Sequence, residues 1–372
     1  MTEAVQKYDL CRFCIGRQGA KEDDFERVEG PSCSVCGGLF DRIPSVADAA
    51  LRNLRRYHFR NFSVGMSLPE GVQEREDEIR SKMKLKGKET VKTQAARLFA
   101  ERISSKVRKP IEKMKPDLTI LAGMTDGSAE ITTRPLLFYG RYSKPAGISQ
   151  RRELCPHCSG SGCGKCGKTG FERKPSVEAH IRKKLEAFSG TDRMTFTWIG
   201  SEDAESRVFP PGRPFVVELK NPVKRVLPKK FATRSSGGQV SVCRGRLLPS
   251  RPTKLPSFKF RTEITCSAAG RIDPGQLGEL KKRFRRAVVR FDRPHNRPTS
   301  KTVYSARASK SGRKLMVEAV LDGGLPVKRF VSGELVSPSV SEVLKTEVRC
   351  RNFDICEVKE TGKFSYAEVT RV

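Results

Sequence analysis

Eight of the twelve cysteines stand in four Cys-x-x-Cys pairs, a spacing typical of metal-binding thiolates. The first two pairs are Cys11 with Cys14 and Cys33 with Cys36. One such pair supplies two ligands from a tight turn, and a second pair completes a tetrahedral zinc shell. Because four thiolates leave no position open for water or substrate, the sequence predicts a structural zinc that holds the N-terminal segment together.

The other two pairs, Cys155 with Cys158 and Cys163 with Cys166, lie close together with glycines between them. Glycines permit sharp backbone turns that direct the sulfurs inward, so a compact zinc knuckle is predicted, with a metal-free loop as the alternative. His157 lies inside the first of these pairs and is interpreted as a bystander or phosphate contact rather than a ligand.

An acidic loop offers a different chemistry. The segment Gly200-Ser-Glu-Asp203-Ala-Glu-Ser-Arg207 lies between two predicted strands and is followed by Gly212-Arg213-Pro214-Phe215. Acidic loops are usually only solvated, so composition alone makes Asp203 a candidate and no more. The four histidines are scattered and no phosphate-binding glycine loop ending in Lys-Ser or Lys-Thr occurs, so neither a nuclease nor a kinase site is indicated.

The elements that must position these residues follow from hydrophobic periodicity. Between residues 44 and 150, helices alternate with strands, which predicts an α/β domain; the helices are expected at 44–57, 70–86 and 92–107, and the strands at 62–68, 118–122 and 135–139. Beyond 170 the pattern predicts an α+β domain with helices at 176–189, 276–286 and 339–344, and strands at 194–199, 214–219, 258–266, 287–291, 315–321 and 352–358.

These patterns divide the chain into four segments. We expect an N-terminal zinc-binding segment at 1–43, an RNA-binding accessory domain at 44–150, the four-cysteine knuckle or linker at 151–170, and a second domain at 171–372.

The charge limits the possible partners. Lys plus Arg number 73 against 42 Asp plus Glu, a formal net charge of +31 over 372 residues. Such a chain attracts a polyanion, and nucleic acid binding releases condensed counterions. The basic run between Lys82 and Lys109 is therefore predicted to face RNA, with a solvated helix face as the alternative. No apolar run is long enough to span a membrane and the first residues lack the apolar centre of a signal peptide, so a cytoplasmic protein is expected.

Over nearly its whole length the chain resembles the archaeal form of the tRNA pseudouridine synthase ten family. The N-terminal cysteine pairs resemble that family's accessory zinc site, and Phe62-Ser-Val-Gly-Met with Glu74-Arg-Glu-Asp-Glu-Ile-Arg80 resembles its THUMP-containing accessory region. Leu137-Phe-Tyr-Gly-Arg-Tyr-Ser-Lys144 and Gly147-Ile-Ser-Gln150 resemble the join into the catalytic domain. The resemblance implies an α+β fold in which a zinc-bound, THUMP-containing accessory domain precedes a catalytic domain with a mixed or antiparallel sheet.

The family's catalytic loop is similar to Gly200 through Arg207 and Gly212 through Phe215. The resemblance therefore implies that Asp203 is the catalytic aspartate and that Arg207 and Arg213 bind substrate. In this chemistry the target uridine must leave its stack before the carboxylate can reach the sugar. Whether the carboxylate attacks the anomeric carbon or abstracts the neighbouring proton stays open.

The resemblance also assigns four residues around the base. Phe260, in Phe258-Lys-Phe-Arg-Thr262, corresponds to a family aromatic that stacks under the flipped base, with a strand phenylalanine in the core as the alternative. Lys328 is expected to pair with Asp203 and hold the carboxylate ionised. Val327 and Phe353 are expected in the substrate pocket.

The implied activity is isomerisation of uridine to pseudouridine at positions 54 and 55 of the tRNA TΨC loop, by a monomer with structural zinc and no organic cofactor. The chain departs from the family pattern at Ser201, Glu205, Pro326 and the shortened 333–337 segment. Ser201 and the shortened segment favour an alternative, a tRNA-binding or folding protein that has lost turnover, whereas Asp203 and Lys328 favour the enzyme. A zinc-ribbon DNA-binding protein, which would show no preference for tRNA over duplex DNA, is a third hypothesis.

Overall fold

The computed structural model describes residues 8–19, 22–235, 237–293, 297–312 and 314–367, and the chain forms two compact units. The first unit comprises Met1–Pro135 with Lys220–Arg225, and the second comprises Leu136–Leu219 with Val226–Val372. The predicted N-terminal segment includes residues 1–7, 20 and 21, which lie outside the described residues.

The first unit contains two small sheets and four helices among its described residues. A short parallel pair joins β1 to β2, and a three-stranded sheet has the order β3-β4-β5, with β3 parallel and β5 antiparallel to β4. Helices α2 and α4 contact each other and this sheet. The elements are β1 (Tyr8–Leu10), α1 (Arg12–Gln18), β2 (Phe25–Arg27), α2 (Leu39–Leu54), β3 (Phe62–Ser67), α3 (Val72–Lys82), α4 (Val91–Val107), β4 (Leu118–Gly123) and β5 (Ala129–Thr133).

Helix α2 begins five residues before the predicted start at Pro44 and carries this proline in its interior. Leu39, Phe40 and Ile43 are buried in the core that also contains the N-terminal cysteines. Burial of these three side chains outweighs the one backbone hydrogen bond that proline cannot make.

The second unit is a large sheet flanked by helices. Its elements are β6 (Leu136–Lys144), α5 (Val177–Ser189), β7 (Met194–Trp198), β8 (Val208–Leu219), β9 (Phe231–Ser235), β10 (Gly238–Leu248), β11 (Phe258–Ala268), α6 (Pro274–Arg283), β12 (Ala287–Arg293), β13 (Arg297–Ser311), β14 (Lys314–Asp322), α7 (Val327–Ser332), β15 (Val336–Ser337), α8 (Val340–Leu344) and β16 (Val348–Glu360). The predicted strand at 135–139 therefore belongs to this sheet as β6, and not to the α/β elements before it.

The sheet consists of two antiparallel halves joined at one seam. Its eleven strands run in the order β15-β12-β13-β14-β11-β16-β8-β6-β10-β9, with β7 beside β8. All neighbours are antiparallel except β16 and β8, which pair in parallel through Ile355 and Val208. The predicted α+β class with a mixed sheet is confirmed.

Helices pack against this sheet, and their apolar side chains form one core with those of the strands. Helix α5 contacts β9 and β10, whereas α6 contacts β13 and α7 contacts β16. Ser176 caps α5 by accepting a hydrogen bond from the N–H of Ala179 at 3.2 Å, and Gly190 ends the helix in a left-handed conformation. None of the described helices is long and apolar enough to cross a membrane.

Candidate active site

The four cysteines of each predicted tetrad lie close together. In each tetrad the four Sγ atoms lie within 4.8 Å of one another. In the first, Cys11 and Cys14 belong to the start of α1, Cys33 and Cys36 precede α2, and all four are buried. Four thiolates in this arrangement could hold one metal ion per tetrad.

Glycine shapes the second tetrad, which comprises Cys155, Cys158, Cys163 and Cys166. Gly170 has φ +77°, and a Cβ added there would lie 2.4 Å from the carbonyl oxygen of Gly160. A side chain would collide with backbone at this position, so only glycine allows the close approach. The N–H of Gly170 donates to the Cys166 Sγ at 3.3 Å, which stabilises negative charge on the sulfur. The nearby His157 is exposed and does not belong to the tetrad.

Asp203 lies on the loop between β7 and β8, beside the seam of the sheet. This loop ends at Arg207, whose carbonyl accepts a hydrogen bond from the N–H of Ile355 at 2.9 Å. The side chain of Arg207 binds Asp354 of the same strand through Nη2 and Oδ2 at 2.7 Å. The seam therefore attaches the C-terminal end of the loop to β16.

Lys144, at the end of β6, supports the loop through its backbone. Its ammonium donates to the carbonyl oxygens of Asp203, Ala204 and Ser206 at 3.1, 2.9 and 2.5 Å. The side chain is buried, and burial lowers the pKa of Lys144. Three carbonyls directed at one cation restrict the backbone on which the Asp203 carboxylate is carried.

A buried polar network supports the other side of the loop. The side chain of Glu202 is 0% exposed and accepts hydrogen bonds from the Tyr142 hydroxyl at 2.5 Å and the Gln150 amide at 3.2 Å. Arg213 pairs with the same carboxylate at 3.2 Å and donates to the Ser201 carbonyl at 2.9 Å. Burial raises the pKa of Tyr142 well above its ordinary value, so its hydroxyl remains a donor.

Gly200 makes this packing possible. It has φ +84°, and a Cβ built there would lie 1.9 Å from Nη2 of Arg213. Glycine favours this left-handed backbone conformation, and its lack of a side chain leaves the room that the guanidinium occupies.

Asp203 lines a cavity of about 550 Å³, a volume in the range of small-molecule sites. Its Oδ2 lies 2.9 Å from Nζ of Lys328, in the first turn of α7. The hydrogen bond to Asp203 raises the pKa of Lys328. Phe260 on β11 and Phe353 on β16 line the same cavity, each less than a tenth exposed. The cavity thus combines a charged pair with an aromatic floor.

Six of the seven predicted catalytic and substrate-binding residues line this cavity: Asp203, Arg213, Phe260, Val327, Lys328 and Phe353. Arg207 does not line it, although it is on the same loop and pairs with Asp354. Of the departures from the family pattern, Ser201 and Pro326 are in the lining, whereas Glu205 is exposed outside it.

Sequence reasoning assigned no role to Lys144, Tyr142, Gln150 or Glu202. Each contacts a residue about 50 to 60 positions away, and such pairings cannot be read from local periodicity. The available signal was the change from apolar residues at the start of the strand, 136–138, to polar residues at its end, 141–144. A buried polar side chain requires partners, so these residues could have been singled out.

Comparisons with known proteins identify the family of this chain. Residues 46–122 match the family model for the archaeal Pus10 THUMP domain, and residues 138–239 match that for the Pus10 C-terminal domain. A tRNA pseudouridine synthase Pus10 from Nitrosopumilus maritimus (strain SCM1) is 31% identical over 371 residues, covering 96% of this chain and 96% of that protein. Another from Cenarchaeum symbiosum (strain A) is 32% identical, covering 94% and 90%.

A solved Cbf5-Nop10-Gar1 complex shares 10% identity at a TM-score of 0.33, covering 59% of this chain and 48% of the matched chain, and is too distant for the two folds to be compared. The relatives confirm the resemblance drawn from the motifs. With two domain matches and relatives of 31% and 32% identity along almost its entire length, the chain belongs to the Pus10 family of tRNA pseudouridine synthases.

Proposed function

We propose that this chain isomerises uridine to pseudouridine at positions 54 and 55 of the tRNA TΨC loop, with Asp203 as the catalytic carboxylate. The observation that carries the proposal is the position of Asp203 in a cavity of about 550 Å³, beside the Lys328 ammonium and two apolar rings. The volume admits an everted nucleotide, which the chemistry needs because the glycosidic bond is inaccessible in a stacked base.

The reaction breaks the bond between C1′ and N1 and forms one between C1′ and C5; the base loses a proton from C5 and gains one at N1. Both routes open to the carboxylate, attack at C1′ or removal of the neighbouring proton, require one free oxygen. Among the described residues, Oδ2 of Asp203 binds Lys328 and no protein group bonds to Oδ1. The side chain is 41% exposed, so Oδ1 is available to a sugar in the cavity.

The surrounding residues divide into two groups in this proposal. Phe260 and Phe353 stack against or flank the uracil, Val327 completes the apolar wall, and Lys328 supplies the positive charge beside Asp203. Arg213 contributes by fixing the loop, since its guanidinium is already engaged by Glu202 and two carbonyls.

Arg207 is assigned to the RNA backbone in this proposal. Its side chain is 57% exposed, and a guanidinium bound to one carboxylate retains donors for a phosphate.

Zinc is the proposed metal of both tetrads. A tetrahedron with metal–sulfur bonds of about 2.3 Å has sulfur–sulfur edges of about 3.8 Å. The Cys11 and Cys36 sulfurs are 3.6 Å apart, and the Cys163 and Cys166 sulfurs are 3.8 Å apart. Four thiolates close the coordination shell, so both ions would be structural.

The functional segments that we propose are those predicted from the sequence, with one boundary changed. We propose a metal-binding segment at 1–43, an RNA-binding THUMP segment, the knuckle at 151–170 and the catalytic segment at 171–372, with 136–150 assigned to the catalytic side because β6 is part of its sheet. We further propose that the chain acts as a monomer, because one chain supplies all the cavity residues, and in the cytoplasm, because two thiolate tetrads need a reducing compartment.

The test uses an unmodified tRNA transcript, with pseudouridine detected by carbodiimide labelling and primer extension. Wild type should form product at positions 54 and 55, whereas Asp203→Asn should lose product by about a thousandfold or more while retaining tRNA affinity. Asp192→Asn, which changes an exposed aspartate on the same unit, is the matched control and should remain active. Product from Asp203→Asn at the wild-type rate would remove Asp203 from the mechanism, and tRNA binding by wild type without product would indicate the non-catalytic scaffold.

A further inference from the structure

A second cavity, of about 290 Å³, lies directly beside the catalytic cavity, and the reaction at Asp203 does not use it. The two cavities share a wall made of Gly200, Arg213, Phe260 and Gly324. Two of these four residues are glycines, so part of the partition is bare backbone. A ligand chain that occupies the catalytic cavity therefore has a neighbouring space for its adjoining unit.

The second cavity has both apolar and charged walls. Pro256 and Phe258 provide apolar surface, and Lys301 and Asp322 provide one charge of each sign. Asp322 is held in place, because its two oxygens accept hydrogen bonds from the N–H of Thr302 at 2.9 Å and the hydroxyl of Tyr304 at 3.0 Å. Within the described ranges, the ammonium of Lys301 has no ion-pair partner.

This chemistry selects among ligands. A purely anionic group would be repelled by Asp322, and a purely apolar group would leave the Lys301 ammonium desolvated without a partner. A planar ring with polar edges satisfies the cavity: its faces pack on Phe258 and Pro256, and its N–H groups donate to Asp322. A phosphate linked to that ring through a sugar can bind Lys301.

We propose that the second cavity binds the nucleotide next to the target uridine in the RNA chain, so that two consecutive nucleotides leave the stack together. This inference rests on the proposed function and deepens it. The shared wall explains the pairing, since consecutive nucleotides joined by one phosphodiester can lie on its two sides. The enzyme would then recognise a dinucleotide rather than a single uridine.

The experiment uses a stem-loop RNA of the T arm in which the nucleotide on the 5′ or the 3′ side of the target is replaced by an abasic residue. In the wild-type protein, one of the two replacements should lower kcat/KM by about tenfold, the loss expected for one stacked base. Ser257→Trp places a large ring in the second cavity only, because Ser257 is exposed and lines this cavity alone. Ser257→Ala is its matched control.

A double-mutant cycle separates this inference from a general disturbance. Ser257→Trp should lower kcat/KM on intact RNA by about tenfold, and the abasic replacement should add little further loss. Lys301→Ala should weaken binding of the intact RNA, whereas replacement of Lys310, an exposed lysine on the same strand, by alanine should not. The inference would be overturned if the abasic replacement on neither side changed wild-type kcat/KM by more than about twofold. It would also be overturned if the loss in kcat/KM from Ser257→Trp and the abasic site together equalled the product of the two separate losses.

Failure of the proposed function has a different signature. If the wild type forms no pseudouridine in intact RNA, binding of the same stem-loop with 2-aminopurine at the flanking position replaces the activity measurement. A fluorescence change with wild type that is lost in Ser257→Trp and kept in Ser257→Ala supports the subsite without turnover. An identical response from all three proteins refutes it.

Discussion

Replacement of Lys144 by methionine tests whether the backbone of the catalytic loop, rather than its side chains alone, positions Asp203. The change preserves most of the apolar stem but removes the ammonium that donates to three carbonyl oxygens of the loop. Because the side chain is only 4% exposed, water cannot readily replace these hydrogen bonds. The Asp203 carboxylate would then lose the frame that supports its backbone.

The magnitude follows from the three acceptors. A buried acceptor left without a donor costs about 1–3 kcal/mol, and removal of the ammonium relieves a burial cost that offsets part of the sum. We expect Lys144→Met to lower the free energy of unfolding by about 3 kcal/mol, which leaves a domain of ordinary stability folded. A reacting group displaced by about 1 Å costs about a hundredfold in rate, so kcat should fall by about that factor.

The assay compares kcat with tRNA affinity in the same protein preparation. Lys144→Met should lower kcat while the Kd for tRNA stays within about twofold, because a buried lysine cannot contact bound RNA. Lys144→Gln retains two N–H donors and should give an intermediate loss, and Lys310→Met, an exposed change on β13, should have no effect. A Lys144→Met protein with wild-type kcat would refute the role of the loop carbonyls, and equal losses in kcat and affinity would indicate general unfolding instead.

Three further outcomes are expected. Burial raises the pKa of Cys350 to about 11, so about a thousandth of this thiol is ionised at pH 8, against about a quarter for an ordinary cysteine. Iodoacetamide labelling followed by mass spectrometry should therefore be slow at pH 8 and accelerate towards pH 11. Rapid labelling of Cys350 at pH 8 would contradict its burial. Metal analysis should find close to two zinc ions per chain, and Cys155→Ser should reduce this to about one; a wild-type content of one would mean that the knuckle is empty. Affinity for tRNA should fall by orders of magnitude across a few-fold rise in salt if roughly six to ten phosphates are contacted, and a flat response measured by filter binding would contradict an electrostatic interface.

Several elements were predictable because their signal is local. Apolar residues at helical spacing predicted α4 within one residue of its observed start, and regular alternation predicted most of β14. The cysteine spacing likewise predicted which eight sulfurs would gather, since each pair is confined to one turn. Local chemistry of this kind does not depend on the rest of the fold.

The sequence pattern of two other elements was too weak to predict them. Strand β13 is rich in Ser, Thr, Arg and Lys, and it is held mainly by backbone pairing with β12 and β14 on either side. Helix α7 is only six residues long and follows Gly-Gly-Leu-Pro, which reads as a turn. In both cases tertiary partners supply the stability that the segment lacks alone.

By itself, the sequence determined the local elements, the metal-ligand groups and, through its motifs, the identity of the loop that carries Asp203. Only the tertiary structure decided that this loop lies at the parallel seam between two antiparallel halves, with Lys144 and Glu202 supporting its backbone and Lys328, 125 residues further along the chain, 2.9 Å from its carboxylate. The reason is physical: periodicity records which face of an element is buried, whereas the partner that it meets depends on strand register and on long-range pairing across the whole sheet.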